Sequence, residues 1–159
     1  MKQIIAITGF VSLTLSSFAW SYDTDMAKGY AKLFAPVVEA DAGKALHFVK
    51  PDAFAKDIRK GKEVVAIDVR TPAETGVFTL SMPDSLIIPV HELFNQKNLD
   101  RIPTDKPVII VCKSGARATA VGTALRHIGF DNVYILKGGF QALSTYYGTK
   151  QAYQKPEKG

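Results

Sequence analysis

The chain has 159 residues, of which 20 are Lys or Arg and 15 are Asp or Glu, so its formal net charge at pH 7 is +5. The basic residues are spread along the sequence rather than gathered in a block, a distribution that gives no support to nucleic-acid binding. The chain has a single cysteine, Cys112, which excludes a disulfide within the chain.

The first 21 residues have the organisation of a secretory signal peptide. Lys2 supplies a short positive start, an apolar run follows, and the small residues Ala19 and Ser21 precede Tyr22. The apolar run is shorter than the ~20 residues that a membrane-spanning helix needs. The pattern predicts cleavage before Tyr22, a periplasmic location, no membrane attachment after cleavage, and a net charge of +4 once Lys2 is removed. Export through a eukaryotic pathway fits the same pattern.

Residues 22–46 are predicted to form a helical extension whose turns are broken near Pro36 and Gly43. Its apolar side chains recur at helical spacing, which predicts that they pack against the rest of the domain: Met26, Tyr30, Leu33 and Phe34.

From residue 51 onward, helices and strands alternate over short loops. The predicted helices are 51–61, 71–75, 91–99, 116–129 and 140–147, and the predicted strands are 63–70, 85–90, 107–111 and 132–136. The second of these helices begins with a capping box formed by Thr71 and Glu74, which by itself accounts for Glu74. The alternation predicts an α/β domain in which helices cover both faces of a parallel sheet.

Sites in parallel sheets form where the strands end, and the most apolar strand, 107–111, leads directly into a loop of small and basic residues. The loop consists of Cys112, Lys113, Ser114, Gly115, Ala116 and Arg117.

Such a loop can turn consecutive backbone N–H groups toward one point, where the next helix also places its positive dipole end. Both effects favour the thiolate of Cys112, which is the nucleophilic form of a cysteine. The same field would hold an anionic substrate, with charge from Lys113 and Arg117 and a hydroxyl hydrogen bond from Ser114. The alternative for a lone cysteine is an inert, buried, small apolar residue.

Residues 47–147 resemble the rhodanese-like sulfurtransferase domain, followed by a polar tail, 148–159. Three segments carry the likeness in the family's order: AIDVRTPAE, SMPDSLIIPV and VCKSGARATAVGTALRHIGFDNVYILKGGF. The resemblance implies a five-stranded parallel sheet covered on both faces, and transfer of sulfane sulfur through a persulfide on Cys112. The donor would be a small anion such as thiosulfate, and the acceptor would be cyanide or a thiol.

The loop from Cys112 to Arg117 has six residues, as in the family's sulfur-transferring members, whereas the related cell-cycle phosphatases have one more. This length favours sulfur over phosphate as the transferred group. Three alternatives remain: a persulfide carrier for a partner protein, a phosphatase or arsenate reductase, and an inactive fold used for protein contacts.

Two positions depart from the family's pattern. Ser81 stands where a His is usual and Asp84 where a Gly is usual, which predicts altered substrate access or packing near the Cys112 loop. Asp68 and Arg70 end a strand at the same sheet edge and are predicted to support the loop as an ion pair. No metal or other cofactor is predicted, because no group of residues has metal-ligand spacing and the histidines are scattered: His47, His91 and His127.

Overall fold

A computed structural model describes residues 22–148 except Glu39 and Asp41. The predicted signal peptide, 1–21, and most of the predicted tail, 149–159, lie outside the described residues. In chain order the elements are α1 (Thr24–Phe34), α2 (Ala42–Ala45), β1 (Phe48–Val49), α3 (Pro51–Arg59), β2 (Val65–Asp68), α4 (Pro72–Thr75), β3 (Leu86–Ile87), α5 (Val90–Leu93), α6 (Gln96–Leu99), β4 (Val108–Val111), α7 (Ala116–His127), β5 (Val133–Leu136) and α8 (Gly139–Tyr146).

The five strands form one parallel sheet in the order β1-β5-β4-β2-β3. This confirms the α/β class and the five parallel strands. The strand patterns in the sequence predict four of the five. The fifth, β1, has only two residues, too few to show a periodic pattern, and it is defined by pairing Phe48 with Ile135 and Val49 with Leu136.

Alternating residues of the central strands enter two separate cores, one on each face of the sheet. Val108 and Ile110 of β4 pack in the core that includes Val121 and Leu125 of α7. The intervening strand residues pack with helices α3 and α8 in the second core: Ile109, Val111, Phe54, Phe140 and Leu143. Because both faces are covered, every residue of β2 and β4 is buried.

Two helical predictions need correction. The helix predicted over 91–99 is two separate helices, α5 and α6, because Asn95 has an extended backbone with ψ of 137°. Asn is a favoured residue for such an N-cap position. The break predicted near Gly43 is also wrong, since Gly43 lies inside α2. At the other predicted break, near Pro36, the helix does end: α1 stops at Phe34, ahead of Pro36.

The apolar stripe of α1 packs only in part. Tyr30 stacks on His127 of α7 with ring centroids 3.9 Å apart, but Met26 and Phe34 remain exposed and α1 has no buried residue. Among the described residues, no helix has the length and apolar character needed to cross a membrane.

Candidate active site

Cys112 directly follows β4 and is buried, with 1% of its surface exposed. Its sulfur accepts hydrogen bonds from two backbone groups that point back at it, Gly115 N–H at 3.1 Å and Ala118 N–H at 3.4 Å. Hydrogen bonds to the charged form of an acid stabilise that form. The loop and the first turn of α7 therefore surround the sulfur with donors suited to a thiolate.

The conformation of Gly115 makes this arrangement possible. Its φ of 96° lies in the left-handed region, and a Cβ at this position would stand 3.1 Å from the Gly138 nitrogen. Gly115 also begins α7, because its carbonyl accepts the Thr119 N–H at 2.8 Å and the Thr119 hydroxyl at 2.9 Å.

The outer side of the loop is formed by Lys113, Ser114 and Ala116, all exposed. Within the part of the chain that the structure describes, no carbonyl accepts the backbone N–H groups of these three residues. The Lys113 ammonium forms no ion pair there either. The loop thus presents free donors and one free cation to an anion approaching Cys112.

Arg117 is held by a carboxylate from another part of the chain. Its Nη1 and Nη2 donate to Glu74 Oε2 and Oε1, both at 2.7 Å. This pair raises the pKa of Arg117, and together with the Thr71 N–H it holds the pKa of Glu74 well below its usual value. Glu74 also completes the predicted capping box with Thr71. The capping box therefore accounts for only part of Glu74's role, and Arg117 fixes α4 to the start of α7.

Asp68 and Arg70 form a buried ion pair beside the loop, with 2% and 3% exposure. Arg70 Nη2 lies 2.8 Å from Asp68 Oδ2, which also accepts the Thr79 hydroxyl at 3.0 Å. The guanidinium carbon of Arg70 lies 3.8 Å from the ring centroid of Phe140, a cation–π contact.

Phe140 connects this ion pair to the cysteine loop. Its backbone N–H donates to Cys112 O at 2.9 Å, and the next N–H, of Gln141, donates to Lys113 O at 3.0 Å. The backbones approach so closely that a Cβ on Gly139 would stand 2.1 Å from Cys112 O. The first turn of α8 is therefore bonded to the start of the loop. In the sequence, Phe140 is only the last residue of the Gly-Gly-aromatic element of the third motif, and its contacts with the loop and with Arg70 depend on the fold.

The two departures from the family's pattern have different positions. Asp84 has a φ of 60°, so it adopts the left-handed conformation that explains a Gly there, and Asp tolerates it better than most residues. Asp84 lines a cavity of about 260 Å³ with Val65 and Leu86, which begin β2 and β3. That is the sheet edge opposite Cys112, so the expected effect of Asp84 near the loop is wrong. Ser81 is exposed.

The profile of the rhodanese-like domain family matches residues 50–145. The chain belongs to this family. A sulfurtransferase of Allochromatium vinosum is 31% identical to this rhodanese-like chain over 94 residues, which are 59% of the chain and 84% of that protein.

Further relatives agree with this assignment. The mitochondrial thiosulfate sulfurtransferase RDL2 of Saccharomyces cerevisiae is 28% identical over 102 residues, or 64% of this chain and 65% of that protein. The crystal structure of a rhodanese-like domain protein from Staphylococcus aureus, 27% identical, superposes with a TM-score of 0.54 over 60% of this chain and 89% of that one. Family and relatives together support a role in sulfur transfer.

Proposed function

We propose that this rhodanese-like domain moves sulfane sulfur from thiosulfate, or a similar anionic donor, to cyanide or a thiol through a persulfide on Cys112. The observation that carries the proposal is the convergence of the Gly115 and Ala118 N–H groups on the buried sulfur. Lys113 and backbone N–H groups that no carbonyl accepts within the described residues lie on the exposed side of the same loop. Such a site stabilises the attacking thiolate and an incoming anion with the same donors.

In the first step, the Cys112 thiolate attacks the outer sulfur of thiosulfate. A bond forms between the two sulfur atoms, the bond between the outer sulfur and the sulfonate sulfur breaks, and sulfite leaves with the electron pair. Cys112 then carries a persulfide anion, so three negative charges stand on each side of the equation and no proton is transferred. Lys113 lowers the repulsion between the two anions.

In the second step, cyanide or a thiolate attacks the outer sulfur of the persulfide. The bond between the Cys112 sulfur and the outer sulfur breaks, the outer sulfur leaves as thiocyanate or as the acceptor's persulfide, and the Cys112 thiolate is restored. The outer sulfur lies about 2 Å beyond Cys112 Sγ, so the acceptor reaches an atom nearer the surface. Two of the five N–H groups of Arg117 donate to Glu74, and the guanidinium also interacts with Cys112, an interaction that adds to the raised pKa of Arg117 and places its positive charge beside the reacting sulfur.

Mass spectrometry of the intact protein tests the proposal. Incubation with thiosulfate should add one sulfur atom, which cyanide then removes, and the Cys112→Ser variant should gain none. Failure of the wild-type protein to gain sulfur would reject thiosulfate as donor, and a gain from a persulfidated protein instead would identify a carrier. Sulfur transfer by Cys112→Ser at the wild-type rate would reject the mechanism.

We also propose export to the periplasm. The support is the pattern of the first 21 residues, with a positive start, an apolar run and small residues before Tyr22. Expression of the full chain in a bacterium and N-terminal sequencing of the periplasmic fraction should give Tyr22 as the first residue. An intact Met1 in the cytoplasmic fraction would contradict the proposal.

A further inference from the structure

Three lysines stand at the ends of three neighbouring strands, at the sheet edge where Cys112 lies. Lys50 follows β1, Lys137 follows β5, and Lys113 is the second residue after β4, in the sheet order β1-β5-β4. The Lys137 N–H donates to Val49 O at 2.9 Å, so Lys137 lies beside the chain segment that leads into Lys50. All three are exposed, and none forms an ion pair within the described residues. We call them the lysine edge.

The lysine edge begins at the rim of the cysteine loop. Lys113 belongs to the loop, and its carbonyl accepts the Gln141 N–H. Lys137 precedes Gly138, and the backbone nitrogen of Gly138 packs closely against Gly115. A Cβ added to Gly115 would stand 3.1 Å from that nitrogen. A molecule bound along the lysine edge therefore extends away from Cys112 rather than occupying a separate region of the surface.

The electrostatic field at this edge is positive. Helices α3, α7 and α8 all begin there, and each directs the positive end of its dipole toward it. The segments 49–54, 112–117 and 137–141 contain a single acidic residue, Asp52. Glu74 balances the charge of Arg117, so the three lysines are the main uncompensated charges.

The lysine edge is too long for a small donor. Neighbouring strands are about 4.8 Å apart, so about 10 Å separates the strand end at Lys113 from that at Lys50. An anion of a few atoms beside Cys112 can meet Lys113 without reaching Lys50. A ligand that meets all three lysines is an extended chain with several negative charges. To exchange sulfur with Cys112 it must carry a thiol, as acceptor, or a persulfide, as donor, and nucleic acids built of the four standard nucleotides carry neither.

We propose that the lysine edge binds an acidic segment of a partner protein, next to a cysteine whose persulfide gives its outer sulfur to the Cys112 thiolate, or whose thiolate takes the outer sulfur from the Cys112 persulfide. The exchange of sulfur rests on the proposed function, whereas the binding of an acidic segment does not. Complementary charge of this kind acts mainly through faster association and is weakened by salt.

Binding of labelled hexapeptides tests the lysine edge without any sulfur chemistry. One peptide has a Ser flanked by Glu residues, and the matched peptide has Lys in place of Glu. At low salt, fluorescence anisotropy should show the acidic peptide binding at least about tenfold more tightly than the basic one. The K50E/K137E variant should lose this preference. The K44E/K97E variant has the same net charge but changes exposed lysines of α2 and α6, and it should keep the preference.

Equal affinity for both peptides, or equal loss in the two double variants, would overturn the inference. A short oligothymidylate is tested in the same way. If it binds as tightly as the acidic peptide and K50E/K137E loses that binding, the partner would be a nucleic acid and the inference would also be overturned.

A second measurement uses the same peptides with Cys in place of Ser and protein carrying the Cys112 persulfide. The ratio of transfer rates to the acidic and basic peptides should exceed one in wild type and fall to one or below in K50E/K137E, where the two new Glu side chains repel the acidic peptide. If the protein forms no persulfide, the proposed function fails and the anisotropy result still decides the lysine edge. If cyanide accepts sulfur but the acidic and basic peptides give the same result in both assays, the inference about the lysine edge is wrong and the proposed function stands.

Discussion

Replacing Glu74 by Gln tests the role assigned to the Arg117 ion pair. The substitution removes the negative charge but keeps an oxygen that can accept from Arg117 and complete the capping box with Thr71. It therefore separates the ion pair from the local helix cap. The structure gives the pair two hydrogen bonds of 2.7 Å between parts of the chain that are 43 residues apart.

The expected loss of stability follows from the geometry and exposure of the pair. Hydrogen bonds to charged groups contribute about 1.5–3 kcal/mol, whereas fully exposed ion pairs contribute about 0.2–1 kcal/mol. The side chains of Arg117 and Glu74 are 35% and 28% exposed, so solvent screens part of the interaction. Because Gln retains one hydrogen bond, we expect Glu74→Gln to lower the free energy of unfolding by about 1 kcal/mol, a fall in Tm of roughly 4 °C.

Urea unfolding at pH 7 and at pH 3.5 measures this difference and its origin. The pKa of Glu74 is lowered on folding from its ordinary value of 4.5, so its contribution is present above pH 4.5 and is lost as the pH falls toward the lower folded value. The gap between wild type and Glu74→Gln should therefore narrow at pH 3.5. Glu63→Gln is the matched control, since Glu63 is 82% exposed and 3.5 Å from Lys106, and should change stability by less than about 0.5 kcal/mol. Equal effects of the two substitutions at pH 7, or a gap that does not depend on pH, would refute the assigned role.

Four further outcomes are expected. Lys113→Ala should raise KM for thiosulfate about fivefold with little change in kcat, because the contact is made equally in the ground state and the transition state. An unchanged KM would show that Lys113 does not contact the donor. Gly139→Ala places a Cβ 2.1 Å from Cys112 O and should cost more than about 2 kcal/mol on urea unfolding and reduce sulfur uptake, whereas wild-type behaviour in both assays would contradict the close approach. Asp84→Gly should change stability by less than about 1 kcal/mol and Asp84→Val should lower it by about 1–2 kcal/mol, because only the latter strains the left-handed backbone; equal stability of the two would argue against that conformation. Burial lowers the pKa of His47 from 6.5, so stability should fall as the pH drops below 6.5, and a titration of stability in His47→Asn should lack this step.

The central strands and the cysteine loop could be predicted because each depends on a short, continuous segment. The run 107–111 is apolar without interruption, as a strand buried on both faces requires, and Cys112 follows it directly. The loop length and the capping box at Thr71 are likewise local features. The two-residue strand β1 could not be found in this way, because its register depends on β5, more than 80 residues further along the chain.

The roles of two residues, Glu74 and Asp84, could be predicted from the sequence only in part. Glu74 has an adequate local explanation in its capping box, which concealed the contact with Arg117. Asp84 aligns with the family's second motif, but only the backbone shows that this position has a left-handed conformation, at the sheet edge where β2 begins.

The sequence by itself determined the α/β class, the position of Cys112 at a strand end and the six-residue loop, because periodicity, capping and loop length act over a few neighbouring residues. Only the tertiary structure decided what surrounds that loop. Glu74 forms an ion pair with Arg117, and the first turn of α8 donates hydrogen bonds to the carbonyls of Cys112 and Lys113. The sheet order β1-β5-β4 brings three lysines to one edge. These relations depend on the order in which distant segments pair in the sheet, which no local pattern specifies.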